Sequence, residues 1–338
     1  MIIRSKAPMR ISLGGGGTDI SPYIEERGGA VINITIDKYT YASLKPRIGE
    51  RVNIKSLDYK IDLSFGIDEG ATYNGQLDLV KATIKLMKIR QGFDLTLRSD
   101  APPGAGLGAS STLTTTMVGA FNYWQNKNLT EYDLADLAYR IERNEVGIKG
   151  GKQDQYASVF GGVNFIEFYS DKTIVNPLRI KQDILNELEY RMVLCYTGRS
   201  RLSSDIIEDQ INNYINNIRD TRQALDETKM LAIEIKNALV LGRVDEVGYF
   251  LDEGWRIKKK FSTKITSPIV DELYEIAKAN GAAGGKLLGA GGGGHILIIC
   301  NDNKRHNVVE ALQKAGAQIT PFSFVYTGLQ SWKVYDKE

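Results

Sequence analysis

The amino-acid sequence predicts an α+β protein of two domains, and three observations carry that prediction. Strand-like and helix-like segments come in groups and do not alternate strictly, which disfavours a doubly wound parallel sheet. The length, 338 residues, suits two domains of ordinary size. Glycine departs from average usage: its 34 residues are about a tenth of the chain against a usual ~7%, and much of the excess falls in blocks between strand-like and helix-like runs.

The rest of the composition is ordinary, and that excludes several classes. Apolar residues at 42% and charged residues at 25% describe neither a disordered, a collagenous nor a membrane-spanning chain. A balance of 43 basic against 41 acidic residues, +2 overall, provides no net field for a nucleic-acid backbone or an anionic membrane as partner. A small-molecule partner is expected, acted on by a monomer or a homodimer.

Elements follow in order. Residues 10–13, 30–35, 39–44 and 93–97 are short β-rich runs, with a helix near 77–87. Leu113, Met117, Phe121 and Trp124 recur at helical spacing and predict a helix beginning at Ser110 or Ser111. The next helix should begin at Thr130, because Thr130 and Asp133 stand at capping-box spacing before the apolar face of Leu134, Leu137, Ala138 and Ile141. A strand is expected over 162–168. The polar, turn-rich stretch 169–182 marks the expected boundary, giving domains 1–175 and 176–338. Beyond it the pattern predicts a strand over 191–196, helices over 202–241, 245–260 and 269–280, a strand over 295–300, a helix over 306–315 and a strand over 322–327.

Cys195 and Cys300 each fall in an apolar strand-like run, so they read as small buried fillers in a reducing compartment. With two histidines and no CxxC pair, a zinc site is not expected, and any metal should be a hard ion on oxygen ligands. The chain opens without a signal-peptide-like apolar run and has no 18 consecutive apolar residues, which makes a cytoplasmic location the expectation.

The strongest chemical signal is Asp100-Ala-Pro-Pro-Gly-Ala-Gly-Leu-Gly-Ala-Ser-Ser111 between a strand and a helix. Alternating Gly104, Gly106 and Gly108 let successive amides turn inward, and the helix start adds unpaired N–H groups and the positive dipole end, together a phosphate cradle. It is neither a Walker A loop, since no lysine follows the glycines, nor a dinucleotide fingerprint. Glu142 and Asp154, 12 residues apart around a glycine-containing turn, are the candidate carboxylates. One could hold Mg²⁺ against phosphates and the other orient a hydroxyl acceptor; each is otherwise an ordinary surface charge or cap.

Near the start, Lys6-Ala-Pro-Met-Arg10 and Gly14-Gly-Gly-Gly-Thr-Asp19 place cations and a carboxylate around a turn. Lys6 or Arg10 could offset charge on a transferred phosphoryl group, while Asp19 suits either paired sugar hydroxyls or a turn cap. Lys286-Leu-Leu-Gly-Ala-Gly-Gly-Gly-Gly294 reads as a buried glycine loop near a ligand, since such a run is costly to order.

The three blocks in this order, KAPMRISLGGGGTD, PPGAGLGASS and KLLGAGGGG, resemble the motifs of the GHMP kinases, the group containing galactokinase, homoserine kinase and mevalonate kinase. The resemblance extends over nearly the whole chain. It implies an N-terminal domain like domain 2 of ribosomal protein S5, a ferredoxin-like C-terminal domain, and ATP with Mg²⁺ in the cleft between. ATP would then lie on Pro103, Gly104, Ala105, Gly106, Leu107, Gly108, Ala109, Ser110 and Ser111. Ser110 and Glu142 would match the magnesium contacts, Asp154 the catalytic aspartate and Arg10 the arginine of the family's APxR segment, with Arg10 or Lys6 neutralising charge on the transferred phosphoryl group. The family usually has a further serine where this chain has Ala109.

Within the family, GGGGTD and GKQDQYAS are similar to the sugar kinases acting on D-glycero-D-manno-heptose 7-phosphate. That implies phosphorylation of the C1 hydroxyl to the 1,7-bisphosphate, on the route to GDP-heptose and surface polysaccharide. The acceptor would meet Gly16, Gly17, Thr18, Asp19, Gly151, Asp154 and Gly292, with Arg199 and Arg201 of GRSRLSS for the distal phosphate or simply solvated. A kinase for unphosphorylated fucose or galactose would use nearly the same residues. A non-catalytic sugar-responsive regulator would not need Ser110, Glu142 and Asp154.

Overall fold

The computed structural model describes residues 1–68, 72–198 and 204–335. Its first sheet holds eight strands: β1 (Ile2–Gly14), β2 (Gly29–Pro46), β3 (Arg51–Ser56), β4 (Ile61–Gly66), β5 (Phe93–Ser99), β6 (Val163–Phe168), β7 (Thr173–Pro177) and β12 (Gln330–Val334). The main order is β12-β1-β2-β5-β3-β4. The long strand β2 changes partner along its length: Gly29–Ile34 pairs with β6, which pairs in turn with β7, while Thr40–Pro46 pairs with β5. The second sheet orders β11 (Gln318–Ile319), β8 (Met192–Tyr196), β10 (His295–Cys300) and β9 (Ala282–Leu287).

Helices explain why the first two strands are apolar on both faces. On one side lie α2 (Asp78–Leu86), α3 (Ala109–Gln125), α4 (Glu131–Tyr139) and α5 (Gln153–Phe160); Met117 and Phe121 of α3 join Val31, Ala42 and Leu44 in one core. On the other, α8 (Thr221–Val240) and α9 (Val244–Lys258) bring Ala232, Ile235 and Leu251 against Met9, Ile11, Leu13, Ile32 and Ile34. That second core also takes in Leu194, Leu297 and Ile299 from the second sheet, so a shared apolar layer joins the two sheets. Burying it is what holds the cleft-forming segments in register. A third core, with Trp255 and Phe261, lies on the far face of the second sheet, where α10 (Pro268–Ala279) and α11 (Arg305–Lys314) contribute Leu273 and Val308.

The GHMP-type α+β architecture expected from the sequence is the one observed. Thr130 caps α4 through the full capping box with Asp133. Both cysteines are buried and free. Four expectations differ. The turn-rich stretch 169–182 contains β7, an edge strand. The single helix expected over 202–241 is α7 (Ser204–Ile215) and α8, broken where Asn217, Arg219 and Asp220 adopt left-handed backbone; Leu202 lies outside the described residues. The expected strand 322–327 makes one bridge, Phe324 to Ile36, and the regular strand comes later, as β12 beside β1. The second half of the chain thereby returns a strand to the first sheet. Finally Lys286 and Leu287, expected to open a glycine loop, end β9, Ala-Ala-Gly-Gly-Lys-Leu, whose glycine lets α9 approach: a Cβ on Gly284 would collide with the Gly248 carbonyl oxygen.

Candidate active site

The glycine loop connects β5 to α3. Ala105 and Leu107 are buried in the core between the sheets, which turns the alternating glycines and Ser110 outward. Gly108, at φ +77°, precedes α3 and has Asp154 so near that an added Cβ would lie 3.1 Å from its carboxyl carbon. No side chain caps α3 and no acidic residue lies in its first turn, so its amides and dipole remain available to an anion. The loop is braced from behind by the Lys286–Gly294 glycine block and the start of β10: the His295 amide donates to the Ala105 carbonyl at 3.0 Å, and Gly289 packs on the Gly106 backbone.

Glu142 lies in a π-helical turn, Arg140–Glu145, that continues α4, and it is fully buried. The Ser110 hydroxyl donates to Glu142 Oε1 at 3.0 Å, and Gln155 Nε2 donates to Oε2 at 2.7 Å. Ser110 and Glu142 are therefore brought together as a pair of oxygen donors, one anionic, beside the helix N-terminus. Among the described residues no cluster of three His, Cys, Asp or Glu forms a protein-only metal cage. This donor set fits Mg²⁺, which binds through one or two protein oxygens and completes its shell with phosphate and water. Ser111, by contrast, is buried and receives Arg143 at 3.4 Å.

Asp154 opens α5 and is gripped by Arg10 from β1, with Nε 2.7 Å and Nη2 2.5 Å from Oδ1. Arg10 also donates from Nη1 to the Gly106 carbonyl at 2.7 Å. One guanidinium thus fixes the carboxylate to the glycine loop, leaving Oδ2 outside that contact. Lys6 does not join this cluster. Four residues earlier on the same strand, its ammonium stacks over the Tyr39 ring at 4.8 Å.

Asp19 is buried in the first glycine turn and accepts from the amides of Gly17 at 3.0 Å and Gln153 at 3.1 Å, and from Gln153 Nε2 at 3.2 Å. Burial raises its pKa, and the neighbouring charge of Asp154 adds to the effect. Gly151 lies directly over it, since a Cβ there would overlap Asp19 Oδ2. Gly16 has Gln153 as a neighbour, and Gly17 faces Gln210. Thr18 is turned away from the cleft: its buried hydroxyl bonds to the carbonyls of Gly15 and Ala30 and holds the turn to β2. Gly292 donates to the Ile265 carbonyl at 2.8 Å, in the brace behind the Gly104–Gly108 loop. Arg199 and Arg201 lie outside the described residues.

Four neighbours were not singled out from sequence. Gln153 holds Asp19, Gln155 holds Glu142, and Arg143 spans Glu142 Oε1, at 3.3 Å, and the Gly151 carbonyl, also at 3.3 Å. Lys258, read only as helix, is buried near Lys286, Arg10 and Asp19. The Gln-Asp-Gln triplet was the one available sign of the first two, since its three side chains diverge to three partners from a single helical turn.

A family described as GHMP kinases N terminal domain matches residues 78–162, and GHMP kinases C terminal matches 235–318. The chain belongs to the GHMP kinases, ATP-dependent phosphotransferases with an alcohol acceptor. Within that family it is 38% identical to the D-glycero-alpha-D-manno-heptose 7-phosphate kinase of Campylobacter jejuni, over 98% of this chain and 99% of the relative. The crystal structure of a D-glycero-D-manno-heptose 1-phosphate kinase from Bacteroides thetaiotaomicron matches with a TM-score of 0.83 at 35% identity, covering 99% of this chain and 100% of that one. The bifunctional fucokinase/GDP-fucose pyrophosphorylase of Arabidopsis thaliana is 27% identical over 88% of this chain, which spans 30% of that longer protein. Among the described residues no helix is long and apolar enough to cross a membrane.

Proposed function

We propose that this GHMP sugar kinase transfers the γ-phosphoryl group of ATP to the anomeric C1 hydroxyl of D-glycero-D-manno-heptose 7-phosphate, giving the 1,7-bisphosphate for GDP-heptose and surface polysaccharide synthesis. The observation that carries the substrate is the 38% identity to a heptose 7-phosphate kinase along essentially the full length of both chains. The phosphate-cradle geometry at Gly104–Ser110 supports ATP as donor.

In this reading the glycine loop and the α3 N-terminus hold the triphosphate. Ser110 and Glu142 would hold Mg²⁺, whose charge when bound offsets that of the phosphate oxygens. Asp154 receives the C1 hydroxyl and orients its lone pair toward the γ-phosphorus, with Arg10 fixing the carboxylate. Asp19 pairs sugar hydroxyls at the turn roofed by Gly151.

A fucose- or galactose-type kinase acting on an unphosphorylated sugar is the second reading, favoured by the 27% identity to a fucokinase. The deciding experiment is magnesium-dependent ADP release with heptose 7-phosphate, heptose 1-phosphate, unphosphorylated heptose, fucose and galactose in parallel. Strong turnover with the 7-phosphate alone supports the proposal. Turnover with a free sugar and none with the phosphates rejects it in favour of the second reading.

A further inference from the structure

Among the described residues, two lysines behind the acceptor turn make no ion pair. Lys258 ends α9 and Lys286 lies in β9; they are 9% and 8% exposed. Lys258 Nζ donates to the carbonyls of Gly289 at 2.6 Å and Leu287 at 3.2 Å, and Lys286 Nζ to that of Leu13 at 3.4 Å. Among the described residues these carbonyls are their hydrogen-bond partners, although two ammonium groups carry six donors between them. Arg10 opposes both charges and Asp19 favours both. Arg10 is itself matched by Asp154, which leaves one buried carboxylate near two buried ammoniums. Burial and repulsion push Lys258 well below the lysine range and Lys286 down to about 8.

A buried charge without a counter-charge is strongly unfavourable, and an anionic ligand removes the penalty. The position says which ligand. Both lysines line a small cavity bounded on one side by Gly14, Gly15 and Gly16, the turn that leads to Asp19, and on the other by apolar side chains of α8 and α9, so among the described residues the two ammoniums are its only charged lining. Its free space, about 20 Å³, admits a group the size of one water or one phosphoryl oxygen. The Gly289 carbonyl that anchors Lys258 belongs to the loop packed on Gly106. The ammoniums therefore lie where the acceptor turn meets the nucleotide loop.

We infer that Lys258 and Lys286 form a phosphoryl-binding subsite behind the Gly14–Gly16 turn, reaching an oxygen either of the group in transfer or of a phosphate already on the acceptor. The second source rests on the heptose 7-phosphate reading; the first does not.

The test uses the full chain with Mg·ADP saturating the glycine loop and inorganic phosphate as probe. Phosphate should bind the unaltered protein, at least tenfold more weakly to Lys258→Met and Lys286→Met, with Mg·ADP affinity within twofold throughout. Lys286→Arg, which keeps the charge, should retain binding. Melting temperatures of the methionine variants should stay level or rise. Steady-state kinetics separates the sources: a tenfold rise in KM for the sugar phosphate at constant kcat identifies the acceptor's phosphate, and a tenfold fall in kcat at constant KM identifies the transferred group. Lower melting temperatures with phosphate affinity retained would assign the lysines to holding carbonyls and overturn the inference. Absence of phosphate binding by the unaltered chain overturns it without any variant, whatever the acceptor proves to be.

Discussion

Arg10–Asp154 and Lys258–Lys286 lie in one charge cluster, yet they are built on opposite principles. In the first pair a buried guanidinium meets a carboxylate at 2.5 Å and reaches the nucleotide loop as well. In the second, two ammoniums face backbone carbonyls and repel one another. The first arrangement is complete without any ligand and, in the proposed mechanism, would give the acceptor hydroxyl a fixed partner. The second leaves a positive excess, which makes the ligand-free protein less stable than it could be. On the proposed roles, preorganisation of the reacting group and demand for an anion fall on different residues.

The largest effect should come from breaking the complete pair. Asp154→Asn is expected to lower magnesium-dependent ADP release by about 10² to 10⁴-fold, with nucleotide affinity unchanged by titration calorimetry. Turnover at the unmodified rate would remove Asp154 from the mechanism.

The incomplete pair should show itself through pH. Lys286 has its folded pKa near 8 against an ordinary 10.5, and Lys258 is shifted the same way. Between those values the unfolded chain binds more protons, so the ligand-free protein gains stability as pH rises from about 8 towards 10.5. The Lys286 contribution is up to about 3 kcal/mol. Denaturant unfolding of the unaltered protein and Lys286→Met at both ends of that window should show the larger gain in the former, since Lys258 keeps its own buried shift in the variant. Equal slopes would mean that Lys286 reaches solvent and carries no stored penalty.

A smaller effect is expected at the oxygen pair. Ser110→Ala should raise the Mg²⁺ concentration for half-maximal rate by about tenfold to a hundredfold while leaving stability near that of the unaltered protein, because Glu142 keeps Gln155. An unchanged magnesium requirement would exclude the Ser110 hydroxyl as a ligand. The smallest change serves as a baseline outside both clusters: Thr130→Ala removes the α4 cap and should cost about 1 kcal/mol with turnover unaltered. A loss of turnover there would show that the π-turn holding Glu142 is coupled to the cap at the other end of the helix.

What could be read early was local. The helix start after the glycine loop, the Thr130 cap and the apolar strands bearing Cys195 and Cys300 each follow from a few adjacent residues, and each formed close to where it was expected. Strand β9 was missed because glycine weakens any strand pattern, and it persists here because α9 packs on it where a side chain would collide. The helix break at 217–220 carries neither proline nor glycine, so periodicity ran through it.

By itself the sequence determined the class of protein and most of the groups that meet at the cleft, because glycine spacing, a helix start and carboxylates near a turn are properties of short segments. Tertiary structure alone decided which of those groups are partners. Residues 10 and 154, and 110 and 142, meet where α3, α4 and α5 pack on the first sheet, and 13 and 286 where the two sheets share a core. It also decided that Lys6 stands apart on Tyr39 and that Thr18 serves the backbone. The physical reason is that charge pairing depends on distance and burial, which the packed cores set and local sequence does not.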